Sequence, residues 1–369
     1  MSKQNHTFHF TSESVTEGHP DKICDRISDA ILDAYLQKDS YSRCAIECIV
    51  TKNQLVIAGE ISSKTNINHE EVARSVIHEI GYIDPSLGFH SSCNIIDLIH
   101  RQAPELNTNE GAGDQGFVFG YACNQTKELM PLPIVLAHKL THRLTEVRNE
   151  NIIDGLYPDG KSQVTVRFEN NVAVSIDNII VSTHHSNRYK EDNQFEILKS
   201  KIINHVVSNA IPQELLPDNA SIIINPNGPW YKSGGPAADT GVTGRKIIAD
   251  TYGGFARHGG GAFSGKDATK VDRSGAYLAR KLAKSIVRRG YANECEIQLG
   301  FAIGKTKPIS RAVKTFGTEN VSIEKIQQYL FENSDITLSQ TIDSLNLREP
   351  RFQELTNYGH FGRDEFIWS

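Results

Sequence analysis

The sequence predicts an α+β protein of three similar units, each a mixed or antiparallel sheet with helices on one face. Three observations predict it. Strand-like runs come in pairs, amphipathic helices separate the pairs, and the alternation recurs three times. A length of 369 residues suits two or three domains with ample core. Hydrophobic residues at 38% and charged residues at 22% are ordinary for a soluble globular chain. The expected units are residues 6–104, 111–228 and 229–369, with no internal repeat to mark them.

Composition also narrows the function. No apolar run approaches the ~18 residues that span a bilayer, and MSKQNHTFHF lacks the apolar core of a secretory signal. Six cysteines (Cys24, Cys44, Cys48, Cys93, Cys123, Cys295) are scattered without a CxxC pair. That argues for a reducing cytoplasmic setting, and against a disulfide framework or a zinc site.

The first helix is expected to begin at Pro20, with Asp21 in its first turn and Ile27, Ile31, Ala34 and Tyr35 as its apolar stripe. Asp21 alone could be a simple helix cap. Gly18-His19-Pro20-Asp21-Lys22 together packs too much reactive side chain into one turn for that. Residues 43–50 and 55–61 alternate like strands around a turn at Asn53-Gln54. Glu47 and Glu60 interrupt them, and on pattern alone they read as the wet face of a half-buried sheet. The spacing predicts a plain scaffold helix over 69–80, capped by Asn68 and ended by Gly81.

GAGDQG, around Asp114, then leads into an apolar strand; it has neither the ending of a P-loop nor a following helix. In the helix expected over 133–148, His138 and His142 are four apart, but Leu140 and Leu144 mark a core face and no HExxH arrangement accompanies them. Asp159-Gly160-Lys161 leads into a strand over 163–168, and two more strand-like runs cover 172–177 and 179–184. An amphipathic helix is expected over 192–210, then the strand SIIIN, a loop with Trp230 and Asp239, and TGRKII. A strand from Cys295 to Ile303 and a helix near 323–332 complete the series.

The most informative stretch is HGGGAFSGKDATKVDRS, residues 258–274. Three consecutive glycines let a bulky ligand approach the main chain. Lys266, Lys270 and Asp272 follow, and then a helix stopped by Gly290. Glycine, lysine and carboxylate before a helix start point to a polyanion held by backbone N–H groups and ammonium ions, with a divalent cation nearby. Residues 229–289 carry twelve Lys/Arg against four Asp, while the whole chain has a net charge of −5. A basic block inside an acidic protein implies a confined anionic ligand rather than a nucleic-acid surface. Arg280, Lys281, Lys284, Arg288 and Arg289 read as a solvated helix face.

GHPDK (18–22), GAGDQGFVFGY (111–121), PDGKSQVT (158–165), TGRKII (243–248), GGGAFSGKD (259–267), KVDRS (270–274) and YGHFGR (358–363) closely resemble, in order and spacing, S-adenosylmethionine synthetase. The resemblance runs from Phe10 to Trp368. It implies transfer of the adenosyl group of ATP to L-methionine, with the triphosphate released whole and hydrolysed to pyrophosphate and phosphate. It also implies a sheet-on-sheet dimer with active sites at its interface, dimers that often pair into tetramers, and requirements for Mg²⁺ (two per site) and K⁺. By resemblance Asp21 and Asp272 ligate Mg²⁺, and Glu47 serves K⁺. Lys161, Arg245, Lys246 and Lys266 contact phosphates, and His19 lies near the ribose and the leaving oxygen. Asp159, Gly160, Trp230, Asp239 and Ala262 complete the ATP site. Glu60, Gln102, Asp239 and Lys270 surround methionine, and Asp114 favours the developing sulfonium. The connector from Gln102 to Gly111 corresponds to the family's mobile lid and is shorter than in common bacterial relatives. Pro229-Trp230 stands where relatives often have Arg-Phe, with Lys232 as a nearby cation. The alternative is a nucleotide-binding regulator that keeps the fold and has lost the chemistry.

Overall fold

A computed structural model describes residues 6–102 and 111–369; the lid expected between Gln102 and Gly111 therefore lies outside the described residues. Three sheets form, as the strand pairs imply, and each is mixed or wholly antiparallel. The first has the order β1 (Thr7–Val15), β6 (Leu156–Glu169), β7 (Val172–His185), β8 (Ser221–Ile224), with only the β7–β8 pair parallel. The second is antiparallel: β11 (Ser310–Lys314), β10 (Glu294–Phe301), β5 (Gly116–Cys123). The third is β4 (Asn94–Arg101), β3 (Gln54–Ser62), β2 (Arg43–Thr51), β9 (Gly241–Val242), with β3–β4 parallel. Every sheet thus takes a strand from a distant part of the sequence. Among the described residues no helix is long and apolar enough to cross a membrane.

Helix α1 (Pro20–Lys38) covers β2, α3 (Leu132–Asn149) covers β6 and β1, the short α5 (Ile247–Asp250) touches β1, and α6 (Val271–Arg288) covers β5 and β10. Helix α2 (His69–Ile80) has the expected limits, with the Asn68 side chain accepting from the Glu71 amide and Gly81 left-handed at φ 103°. The expected helix over 192–210 runs through α4 (Asp192–Ile202), a π-helical stretch (Ile203–Val207) and a last turn at Ser208–Ala210. The runs at 172–177 and 179–184 are one fourteen-residue strand, β7, paired with β6 through register shifts near Thr165 and Arg167. Its partner β6 begins at Leu156, well before the strand expected from residue 163.

Four strands, β1, β4, β9 and β11, were not expected from periodicity. In β1 the inward positions 12 and 14 are serines, satisfied by the Gly253 carbonyl and by His138 Nδ1. In β4, Ile95 and Ile99 pack on the core while Ile96 and Leu98 lie exposed on the other face, so apolar residues fall on both sides. The basic face assigned to α6 also needs correction. Arg280 is fully buried and donates to the Tyr121, Glu128 and Leu129 carbonyls, and Lys284 is buried too. A guanidinium's fixed fork of donors suits backbone carbonyls at a helix–sheet seam.

The third sheet has a covered and a bare face. Cys44, Ile46, Cys48, Val50, Leu55 and Ile57 are buried toward α1. On the other face Ile49, Ile96 and Leu98 are 44%, 42% and 57% exposed, with Glu47 and Glu60 among them.

One buried ion pair ties α1 to the start of α6. Arg273 of α6 donates through both terminal nitrogens to Asp29 of α1, whose Oδ1 also accepts from the Gly265 amide at 2.8 Å. Both side chains are wholly buried. Removing one partner leaves the other charged and dry, which typically costs about 3–5 kcal/mol. Asp29→Ala should therefore lower stability by about that amount, measured as a drop in denaturant midpoint. Asp29→Leu with Arg273→Met should recover much of the loss, and a midpoint unmoved by Asp29→Ala would contradict this account.

Candidate active site

The start of α1 is the centre of the site. His19 is its N-cap, with Nδ1 accepting from the Asp21 amide at 3.2 Å. Burial, reinforced by the ammonium ions of Lys246 and Lys161, pushes the His19 pKa down to about 3. The ring is therefore neutral at neutral pH. Asp21 is buried as well, which alone would raise its pKa. Lys246 Nζ at 2.5 Å and the Val242 amide at 3.0 Å outweigh that and hold it below the ordinary value. Arg245 Nε stands 3.7 Å from the same carboxylate, with the side chain half exposed.

Contacts run on from here to Trp230. Gly18 lies against Pro158 so closely that a β-carbon would sit 2.3 Å from that ring, so GHPDK and PDGK touch. Asp159 is buried, accepts from the Gly235 amide at 2.8 Å, and is pushed up by burial to a pKa of about 7. Gly160, packed under Leu144, accepts from the Thr16 amide. Lys161 projects half-exposed, 3.4 Å from Glu13. Gly234 packs on the His184 ring, itself 5.4 Å from the Trp230 ring. The Trp230 indole donates to the Ser233 carbonyl, and its amide donates to His185 Nε2. Asp239 is exposed on the same loop. A cavity of about 310 Å³ opens here, lined by Ser182 and the segment from Asn225 to Trp230.

The glycine-and-lysine loop forms a second group. Lys266 Nζ is 2.6 Å from Asp272 Oδ2, and Lys270 Nζ is 2.5 Å from Asp267 Oδ2. Asp267 also accepts from the Cys44 and Thr269 amides. A β-carbon at Gly261 would lie 2.3 Å from the Asp272 carboxylate, so glycine is what lets the loop close over it. The two groups meet where Ala262 abuts Gly244, next to Arg245. Lys266 bridges to Ala45 of β2 while Val242 pairs with Ile49. Four strand residues, roughly 13 Å, thus separate the two backbone attachments.

The remaining candidates lie around the third sheet and the second. Glu60 is the register partner of both Ala45 and His100, which sets it across the strand from Lys266. Glu47 is exposed on the bare face. Gln102 follows β4, donates its amide to Ile61 and buries a side-chain oxygen without a partner among the described residues. Asp114 is exposed on the loop before β5, accepting from the Gln115 amide. His138 and His142 diverge: the first bonds Ser14, the second faces Glu146.

Sequence reasoning missed the supports. Lys22, buried, pairs with Asp25 and Asp250, and Asp25 accepts from the Gly244 amide at 2.8 Å. Tyr82 donates to the Gly18 carbonyl, and His184 sits under Trp230. One signal was available. Asp21, Asp25, Asp29 and Asp33 recur every four residues along α1, which places them on one face.

Carboxylate oxygens are the donors that Mg²⁺ prefers, usually one or two together with substrate phosphates. Asp21 and Asp272 fit that chemistry, and each now contacts a lysine ammonium.

Three sequence-family models match the chain: the N-terminal domain of S-adenosylmethionine synthetase over residues 7–104, its central domain over 109–230 and its C-terminal domain over 233–369.

The His19 environment makes a pH prediction. The unfolded imidazole takes up a proton below about 6.5 and the folded one does not until about 3. Its contribution to stability is therefore complete above 6.5 and is lost as pH falls from there toward 3. The His19 ring resonances should stay flat between pH 5 and 8. A titration midpoint near 6.5 would show that the ring is not desolvated.

Proposed function

The chain belongs to the S-adenosylmethionine synthetase family and is a methionine adenosyltransferase, and on that premise we propose how its residues carry the reaction. Methionine sulfur attacks C5′ of ATP, the C5′–O bond breaks, and tripolyphosphate departs whole before hydrolysis to phosphate and pyrophosphate. A thioether has no proton to lose, so the attack needs no general base. What it needs is alignment of sulfur with carbon and stabilisation of a leaving group bearing about four negative charges.

The observation that carries this reading is the pair of carboxylate–ammonium contacts, Asp21 with Lys246 and Asp272 with Lys266. Each sets a fixed cation and a metal-type ligand side by side. Lys161, Arg245, Lys246 and Lys266 bind the phosphates. Neutral His19 offers a hydrogen bond near the leaving oxygen without adding charge. Asp159, Gly160, Trp230, Asp239 and Ala262 hold the nucleoside end of ATP, with the indole as its aromatic wall. Glu60, Gln102, Asp239 and Lys270 surround methionine, and the Asp114 carboxylate favours the positive charge that develops on sulfur. Asp21 and Asp272 would hold two Mg²⁺ ions and Glu47 a K⁺ ion, which when bound supply further charge against the triphosphate.

The bare face of the third sheet supports a dimer. Ile49, Ile96 and Leu98 form an apolar patch with Glu47 and Glu60, and a second copy laid sheet on sheet would cover it and bring its own residues to the site. The six buried, unpaired cysteines agree with a reducing cytoplasmic location.

Lys266→Ala should lower kcat by about 100-fold or more, as loss of one preorganised donor does elsewhere, measured as S-adenosylmethionine formed from ATP, methionine, Mg²⁺ and K⁺. If the unaltered protein yields ADP, or only holds ATP, the reaction assignment fails. Leu98→Lys should shift the protein toward monomer in sedimentation and reduce turnover with it. A fully active monomer would reject the shared site.

A further inference from the structure

Tyr35, His69 and Asp97 form a hydrogen-bonded line that the reaction does not use. Tyr35 Oη is 2.8 Å from His69 Nε2, and His69 Nδ1 is 2.7 Å from Asp97 Oδ2. A carboxylate only accepts, so Nδ1 carries the proton and neutral Nε2 accepts from the tyrosine hydroxyl. Helices α1 and α2 and strand β4 meet at this line, which fixes both rings. The Tyr35 oxygen takes the Ile67 amide on one lone pair and keeps the other to offer as an acceptor.

Beside the line is a cavity of about 430 Å³, lined also by Lys64, Asn66, His100 and Arg101. It reaches Ile61 and Ile99, whose side chains belong to the core side of the third sheet. It also reaches His100, the register partner of Glu60, so it wraps the end of the edge strand β4. Its volume is within the range of small-molecule sites. Neither Lys64 nor Arg101 is ion-paired among the described residues. The neighbouring acids are already engaged. Asp97 bonds His69, Glu70 bonds Arg74, and Asp39 accepts from the Tyr41 and Lys64 amides and the Ser63 hydroxyl.

We propose that this cavity binds a small hydroxylated phosphomonoester, with its phosphate between Lys64 and Arg101 and a hydroxyl donating to the Tyr35 oxygen. Two cations that line one cavity and form no ion pair among the described residues, Lys64 sensing only the already engaged Asp39, suit a dianion, because charge-assisted bonds to phosphate are the strong ones. The polar floor fixed by His69 and Asp97 distinguishes such a ligand from bare phosphate. The lining contains none of the phosphate- or metal-binding residues assigned above, though Ile61 and Arg101 adjoin Glu60 and Gln102 in the chain.

Calorimetric titration of the full chain with glycerol phosphate and with orthophosphate tests it, in a Lys266→Ala background that weakens phosphate capture at the reaction site. Binding should survive Lys266→Ala, and the His69 ring resonances should shift as either probe is added. Arg101→Ala and Lys64→Ala, both exposed positions, should each weaken both probes about tenfold or more, the loss expected for one charged hydrogen bond. Tyr35→Phe should weaken glycerol phosphate several-fold and leave orthophosphate unchanged. The proposal is overturned if neither probe binds the Lys266→Ala protein at millimolar concentration. It also fails if Arg101→Ala and Lys64→Ala leave both affinities intact, or if Tyr35→Phe affects the two probes alike.

Discussion

The structure depends on a row of four carboxylates along one buried helix. Asp21, Asp25, Asp29 and Asp33 stand a turn apart, about 6 Å at each step. Each meets donors from the C-terminal part of the chain: Val242 and Lys246, then Gly244, then Gly265 and Arg273, then the Phe352 and Gln353 amides. A carboxylate out of water costs several kcal/mol unless such partners are in place, so the helix and the loops specify each other. Most of these donors are backbone amides of irregular segments. The loops that carry Arg245, Lys246, Lys266 and Lys270 thereby acquire fixed positions without belonging to any long strand or helix.

That arrangement serves the chemistry of a highly charged ligand. Lysine and arginine stems are flexible, and ordering them around an anion costs entropy. Here carboxylates hold them beforehand: Lys246 rests on Asp21, Lys266 on Asp272, Lys270 on Asp267. A site whose charges are already placed need not reorganise as negative charge moves onto the departing group. The family to which the chain belongs accounts for why so much positive charge is gathered inside a protein that is acidic as a whole.

Much of this was legible in the residues. Helix α2 was read to its ends because its signals are local: an Asn68 cap, regular apolar spacing, and a glycine that can take a positive φ. The motif residues were found because glycine, lysine and aspartate crowd into short windows. Strand β1 escaped because its inward serines are satisfied by Gly253 and His138, more than a hundred residues away. Arg280 was misread for the same kind of reason, since nothing near it in the chain announces three waiting carbonyls. The aspartate row was visible as a spacing, but its meaning lay in partners over two hundred residues distant.

The exchange of strands among the sheets bears on how the protein comes to exist during synthesis. The opening strand has to wait for residues 156–169, the second strand for Gly241 and Val242, and the strand at 116–123 for residues 294–301. A nascent chain emerging from the ribosome can finish none of its sheets until most of it is outside, and the acidic row on α1 lacks its last donors until residue 353 has appeared. Non-local pairing of this kind slows folding and leaves apolar edges open meanwhile. For this chain the late pairing leaves apolar edges open through much of synthesis, and truncated pieces are poor stand-ins for the whole.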